Sequence, residues 1–483
     1  MRLLFTIARV PALLVLVPFL FSCGSYNQKI QKYYSQMEAG RFNNAFRTLD
    51  DIKFLQKPRN LFLYYAEKGR MAHLMGLYDS SNRFLNEADR IAEIRYKDAA
   101  DVTKGTILNP MMQTYRGEPF ERFMLHYYKA LNYTYLGRTE EALVEARRIS
   151  LATNDQMDQT NEKENRYSRD AFSLNLQGII YESAGDMNNA FISYRNAVET
   201  YLTQKDSTWY GVTIPQQLKE DLLRTAHANG FTTEQERFEK MFGMTYDPSK
   251  APEGGALVVF MESGRAPVKE EENLFFSLVK GAGGAFFFTD PTGAFNIPFD
   301  VARYNNNSTD IGDLRTFRVA LPKYMVTSST PSNGVISLNE QGYQPEMVQN
   351  INAVAIETMK ERRLKDITAA LTRLAIKKLA ESGARAASES IAKSNSKKKD
   401  ENKKEENAEA VGAAVGLLFQ ALALASEKAD TRNWQSLPAF IEYTRIPLQK
   451  GPNKLSIGQK GYASPKVLEI EGSGGLQVRN FRF

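Results

Sequence analysis

Four short stretches of this 483-residue chain share one arrangement: AGRFNNA (Ala39–Ala45), MGLYDSS (Met75–Ser81), LGRTEEA (Leu136–Ala142) and AGDMNNA (Ala184–Ala190). Each sets a glycine five residues before a small residue. Glycine lets a helix end in left-handed backbone so that the chain can reverse, and the small residue lets the next helix approach closely. Helical periodicity flanks each turn, so the pattern predicts successive antiparallel helix pairs over residues 23–245. A pair of that kind buries its apolar face only against a neighbouring pair, so the pairs must stack.

Around the fourth turn, LQGIIYESAGDMNNAFISYRNAVE closely resembles a tetratricopeptide repeat, with Gly178 and Ala190 small, Tyr181 and Tyr194 large, and Ala197 closing the second helix. The third turn matches through Ala130, Tyr133 and Ala142, the second through Gly69, Ser81 and Ala88, and the first only from Gly40 onward. The turn glycines are spaced by 36, 61 and 48 residues, and only the first spacing is near the repeat's period of about 34. The longer gaps hold insertions at residues 95–118 and 153–168, which in a solenoid become loops on one face. The inner helices of such an array line a concave groove. Arg70, His73, Tyr127, Leu131, Tyr135, Asn175 and Glu182 are the expected partner-binding residues on that face.

After the Pro/Gly-rich linker Thr245–Gly255 the periodicity changes. ALVVFME, GGAFFFTD, FRVALPKYM, GVISL, AFIEYTRIPL, NKLSI, KVLEIEG and LQVRNFRF read as strands, and SGRAPVKEEEN as a polar loop whose adjacent Glu270, Glu271 and Glu272 are solvent-exposed. Between the two groups of strands, residues 348–430 regain helical steps around the charge run Ser394–Asn407, which predicts an inserted helical hairpin with a solvated tip. Val411–Ala425 carries Gly412 and Gly416 four apart, a spacing for close packing against the preceding helix, with partial membrane insertion or a partner's helix as the alternative. At about 22 Å it is shorter than the roughly 30 Å apolar core of a bilayer. The expected architecture is α+β multidomain: an N-terminal all-α TPR-like solenoid, then a C-terminal β-rich domain (246–347 and 431–483) interrupted by an α-helical hairpin.

The single cysteine, Cys23, follows Arg2, Arg9 and the apolar run Val10–Phe21. The run has the length of a signal-peptide core and is too short to span a bilayer comfortably. Leu20-Phe21-Ser22-Cys23-Gly24 resembles the lipobox of bacterial lipoproteins, with Phe21 bulkier than usual. That resemblance implies removal of residues 1–22, diacylglycerol on the Cys23 sulfur and acylation of the new amine, which gives two or three acyl chains and a stable anchor. No aspartate or acidic cluster follows Cys23, which leaves delivery to the periplasmic face of the outer membrane as the expectation.

Losing Arg2 and Arg9 takes the formal charge from +6 to +4, with acids and bases mixed along the chain. That gives no basis for nucleic-acid binding. Chemistry is equally sparse. His73, His126 and His227 are the only histidines, with no carboxylate cluster beside them in sequence, and GAGG (Gly281–Gly284) lacks the Gly-Lys-Ser/Thr of a phosphate loop. The expectation is no catalytic residues, no metal and no cofactor.

RGEPFERFMLHYYKALNYTYLG with EALVEARR, then GALVVFMESGRAPVKEE, then ADTRNWQSLPAFIEYTRIPL together resemble an uncharacterised family of bacterial tetratricopeptide-repeat outer-membrane lipoproteins. The Arg432-Asn433-Trp434 stretch is the most distinctive part. The resemblance implies envelope location and a binding role. The expected function is a non-catalytic scaffold that meets outer-membrane or periplasmic proteins of an envelope complex and touches the membrane through its N-terminal lipid. The competing expectation is an envelope glycan- or lipid-binding module, or an enzyme, acting through the β-rich domain.

Overall fold

The computed structural model describes residues 26–93, 110–154, 170–204, 206–300, 316–328, 330–331, 334–395, 428–459 and 465–483. Cys23, most of both insertions, the charged tip and Val411–Ala425 lie outside them.

The N-terminal part is a stack of helix pairs: α1 (Tyr26–Glu38) with α2 (Phe42–Asp51), α3 (Leu61–Leu74) with α4 (Tyr78–Glu93), α5 (Pro119–Tyr135) with α6 (Thr139–Asn154), and α7 (Ala171–Ser183) with α8 (Met187–Leu202). A fifth pair, α9 (Gln216–Ala228) with α10 (Thr232–Phe242), extends the array beyond the four glycine turns. All five pairs reverse through the same device. The turn glycines 40, 76, 137, 185 and 230 have φ between +68° and +80°. The residue after each donates its N–H to the carbonyl five positions back, as in Arg41 to Gln36 and Asp186 to Tyr181, both 2.9 Å. This pattern satisfies carbonyls that a helix end leaves open. Within pairs the small residues do what their size allows: a Cβ at Gly69 would sit 2.5 Å from Leu85, and one at Gly178 would sit 2.5 Å from Tyr194.

A short hairpin, β1 (Thr208–Trp209) and β2 (Val212–Thr213), links the fourth and fifth pairs. The strands that follow are β3 (Ala256–Ser263), β4 (Val268–Lys280), β5 (Phe286–Thr289), β6 (Asn296–Phe299), β7 (Thr316–Met325), β8 (Gly334–Leu338), β9 (Gln341–Tyr343) and β10 (Glu346–Asn350). After the long helix α11 (Ile351–Asn395) come β11 (Phe440–Pro447), β12 (Gly451–Gln459), β13 (Lys466–Gly472) and β14 (Leu476–Arg482). They build three four-stranded sheets, ordered β10-β11-β3-β14, β13-β12-β8-β9 and β6-β5-β4-β7. The last strand runs parallel to β3 and closes the first sheet.

The first sheet is the centre of the molecule. β3 is buried over its whole length, so its alternating side chains serve two cores. Val258 and Phe260 join the helical array, while Leu257, Val259 and Met261 pack with Ile336, Leu338, Leu455 and Ile457 of the second sheet. The third sheet lays Phe276, Phe288, Phe317 and Val319 on Ile367, Leu371 and Leu374 of α11. The polar stretch 268–273, expected as loop, is the start of β4. There Glu271 and Glu272 point to opposite faces and reach Arg318 (3.1 Å) and Arg363. The first arm of the expected hairpin is the single helix α11, and its second arm falls outside the described residues.

Candidate functional site

The concave face of the array is where function was expected. Its inner helices do bring Arg70, His73, Tyr127, Leu131, Tyr135, Asn175 and Glu182 to one surface, but the chain's own central sheet covers that surface. Arg70, Tyr127 and Leu131 are 0% exposed, and His73, Asn175 and Glu182 are 5% or less. The expectation that these residues form an open partner groove is therefore corrected: their partners are strands of the same chain.

Glu262 on β3 organises the middle of the seam. It pairs with Arg70 (2.5 Å), accepts hydrogen bonds from the Tyr127 (3.1 Å) and Tyr128 (3.2 Å) hydroxyls, and accepts another from the Asn480 amide of β14 (2.8 Å). Burial alone would raise its carboxyl, but Arg70, Asn480 and Arg482 outweigh that and hold it below the usual carboxylate range. Arg70 stacks on the Tyr128 ring at 4.3 Å.

The neighbouring amides fix the protonation of His73. Asn132 spends its NH₂ on Ser81 and Asn82 (both 2.8 Å), so its oxygen, 2.6 Å from His73 Nδ1, accepts a hydrogen bond from the ring N–H. Nε2 is then an acceptor facing Asn480 Nδ2 at 3.0 Å. A neutral imidazole results. Burial, and then the Arg70 charge, lower its pKa from 6.5 to about 4. Tyr135 completes the cluster by donating to Asn480 Oδ1 at 2.7 Å.

Toward the fifth helix pair, Arg445 of β11 reaches Glu182 (2.6 Å) and Asp221 (2.9 Å), both of which also pair with Arg224. Burial would raise Glu182, yet Arg224 and Arg445 bring it down to about 2. At the other end of the seam lies the Arg432-Asn433-Trp434 stretch. Arg432, 1% exposed, chelates Asp430 and donates to Asn60 (2.9 Å) and to the backbone oxygens of Arg59 (3.1 Å) and Gln113 (3.0 Å). The Trp434 backbone N–H donates to Glu121 at 2.7 Å, and the Tyr26 hydroxyl donates to the Asn433 backbone carbonyl at 3.1 Å. Glu118, the N-cap of α5, binds Lys269 of β4 and Arg362 of α11 (2.7 Å), tying three elements together.

Sequence reasoning missed Glu262, Asn480, Arg445, Glu118 and Glu121. The one available signal was an acid inside the otherwise apolar run ALVVFMES, a position that is rarely charged unless paired. The expectation that no histidine lies near clustered carboxylates is also overturned. His126 Nδ1 lies 2.7 Å from Glu145, with Lys129 bridging Glu145 (2.9 Å) and Asp89 (2.8 Å) in a buried cluster between α4, α5 and α6. Among the described residues, no group of three His, Cys, Asp or Glu is placed to hold a metal ion, and no helix is long and apolar enough to cross a membrane. One open cleft of about 700 Å³ is lined by Asp206, Trp209, Tyr210, Asn350 and Glu357.

No family model matches the chain, and no curated protein does. Solved structures similar to it include BtubC (BKLC) from P. vanneervenii, at 14% identity and TM-score 0.31, covering 45% of this chain and 80% of that one. Another is a Podosopora anserina kinesin light chain with nearly identical TPR-like repeats, at 14% identity and TM-score 0.29, covering 44% and 91%. The likeness spans less than half of this chain and is too slight to carry functional meaning.

Proposed function

We propose that the chain is a non-catalytic, lipid-anchored protein of the outer membrane's periplasmic face that serves as a scaffold in an envelope assembly. Outer-membrane protein biogenesis or secretion is the first machinery to test. The observation that carries this reading is the locked seam. Glu262, Arg445 and Arg432 join array and sheets through buried, mutually paired charges, so the titratable groups of the seam hold one body together instead of facing a substrate. A rigid body of that kind presents fixed outer surfaces. Partners then meet the convex face of the array and the outward sheet faces instead of the groove. Affinity purification of the tagged chain from gently solubilised outer membranes tests this. A stoichiometric envelope partner supports it, and recovery of the chain alone with its lipid intact overturns it.

The glycan-binding alternative is favoured by the cleft beside Trp209 and Tyr210, where aromatic rings adjoin carboxylates and an amide. Calorimetry with envelope glycan fragments, on the native chain and on Tyr210→Ala, decides between the two readings.

A further inference from the structure

The third sheet, β6-β5-β4-β7, breaks the usual alternation of apolar inside and polar outside. Leu274, Phe276 and Leu278 of β4 face the α11 core as expected. The side chains between them face outward, and two are apolar: Phe275 is 51% and Val279 44% exposed. In register beside Val279 stands Phe287 of β5, and beside Phe287 stands Pro298 of β6, which is exposed. The outward face thus carries an apolar strip across three strands. The polar row Ser277, Thr289 and Asn296 separates Phe275 from the other three, and beside Phe275 stands its register partner Arg318, paired with Glu271 on the same face.

The point where the chain enters the described structure gives this strip a neighbour. Tyr26 is buried and bonded to the Asn433 carbonyl, and the Asn27 amide donates to the Lys269 carbonyl at 3.0 Å. Lys269 is the second residue of β4. Cys23 is four residues from Asn27, so at most about 14 Å of chain separates it from the residue that bonds the base of that strand. Phe275 lies six residues farther along, roughly 20 Å at strand rise. An acyl anchor at Cys23 therefore holds this sheet within tens of ångströms of the bilayer, with no long tether to let the body swing away.

We infer that the outward face of this sheet, centred on Phe275, Val279, Phe287 and Pro298, is a membrane-contacting surface that seats the body on the lipid headgroups. This rests on the lipid anchor proposed above. Aromatic and aliphatic side chains with an arginine at the margin suit the boundary between headgroups and acyl chains.

The test uses the full chain, processed and lipidated in a bacterial host and reconstituted in phosphatidylethanolamine/phosphatidylglycerol vesicles. Once the Cys23 sulfur carries lipid, Phe275→Cys supplies the only free thiol for an environment-sensitive dye, with Val279→Cys as a second position should the first fail to fold. Met241→Cys, exposed on the last helix of the array, is the control. The expected result is a rise of about two-fold in dye emission at 275 on reconstitution, quenched by brominated lipid, as a side chain in the headgroup boundary would show. The control should not change. Three outcomes overturn the inference. If the protein floats with vesicles but the dye at 275 and 279 stays unquenched, the anchor stands and the surface does not. If the dye is already shielded without lipid, another part of the chain covers the strip. If the protein fails to float, the anchor and the surface fall together.

Discussion

β3 offers two interfaces built from one strand. Its Leu257, Val259 and Met261 side meets the second sheet through apolar contact alone, whereas its Val258, Phe260 and Glu262 side meets the array through a mixture of rings and charges. An apolar sandwich accepts many sequences of similar volume. A buried arginine–glutamate pair accepts one register, because any slip leaves two charges stranded. The sandwich therefore supplies bulk stability, and the seam dictates which strand residue meets which helix. Among the described residues Arg70 has no other charged partner at the seam, and its Nε and one Nη have no hydrogen-bond acceptor.

The sharpest way to break the comparison is Glu262→Leu. It leaves Arg70 buried and uncompensated, and denaturant unfolding should show a loss of about 4 kcal/mol. Adding Arg70→Met removes the stranded charge and should restore most of that loss. A double variant no better than the single would show that the pair is not what fixes the seam. On the opposite face, Leu257→Ala should cost about 3 kcal/mol through the cavity it opens. Its effect should add to that of Arg70→Met within about 0.5 kcal/mol, since the two sites share no partners. Strong coupling between them would mean that the two faces of β3 do not act independently.

The same contrast explains what could be read from the sequence. The helix pairs were legible because each turn is local: a glycine, five residues and a small side chain. The fifth pair was missed because Gln235 stands where that small residue belongs after Gly230. The strands with strong alternation were legible too, whereas β1, β2, β6, β9 and β10 are two to five residues long and carry little pattern. Closure of the groove was not legible. Arg70 and Glu262 are 192 residues apart, and nothing local tells a concave array whether its occupant is another protein or its own C-terminal half. The Arg432-Asn433-Trp434 stretch stood out in sequence as distinctive. The reason is now physical, since it fills the far end of the seam against α1, α3 and α5.

A subtler measurement uses pH. His73, lowered to about 4, is protonated in the unfolded chain first, so its contribution is present above pH 6.5 and is lost as pH falls toward 4. Glu121 is raised from 4.5 to about 7 by burial, so the native state holds its proton first; that contribution is present below pH 4.5 and is lost as pH rises through 7. The two slopes oppose each other between pH 4.5 and 6.5. Glu121→Gln removes one of them, so its stability should fall more steeply than the native chain's on acidification through that window. The extra slope is on the order of 1.4 kcal/mol per pH unit, or about 2 kcal/mol between pH 6.5 and 5. Parallel profiles for the two proteins would show that Glu121 does not titrate in this range.

The smallest effect sharpens the comparison most, because it keeps the chemistry and changes only the surroundings. Arg90 and Glu87 on α4 form the same kind of ion pair as Arg70 and Glu262, at 3.0 Å, but with side chains 62% and 46% exposed instead of 0%. Water solvates each charge whether or not its partner is present, so a double-mutant cycle on Arg90→Ala and Glu87→Ala should return a coupling of at most about 0.5 kcal/mol, fading with added salt. The matching cycle at Arg70 and Glu262 should return several times that and change little with salt, since dissolved ions do not reach the seam. If the two cycles gave similar values, the charged face of β3 would be no more selective than a surface, and its control over how the sheet docks would have to come from Phe260 and its ring contacts alone.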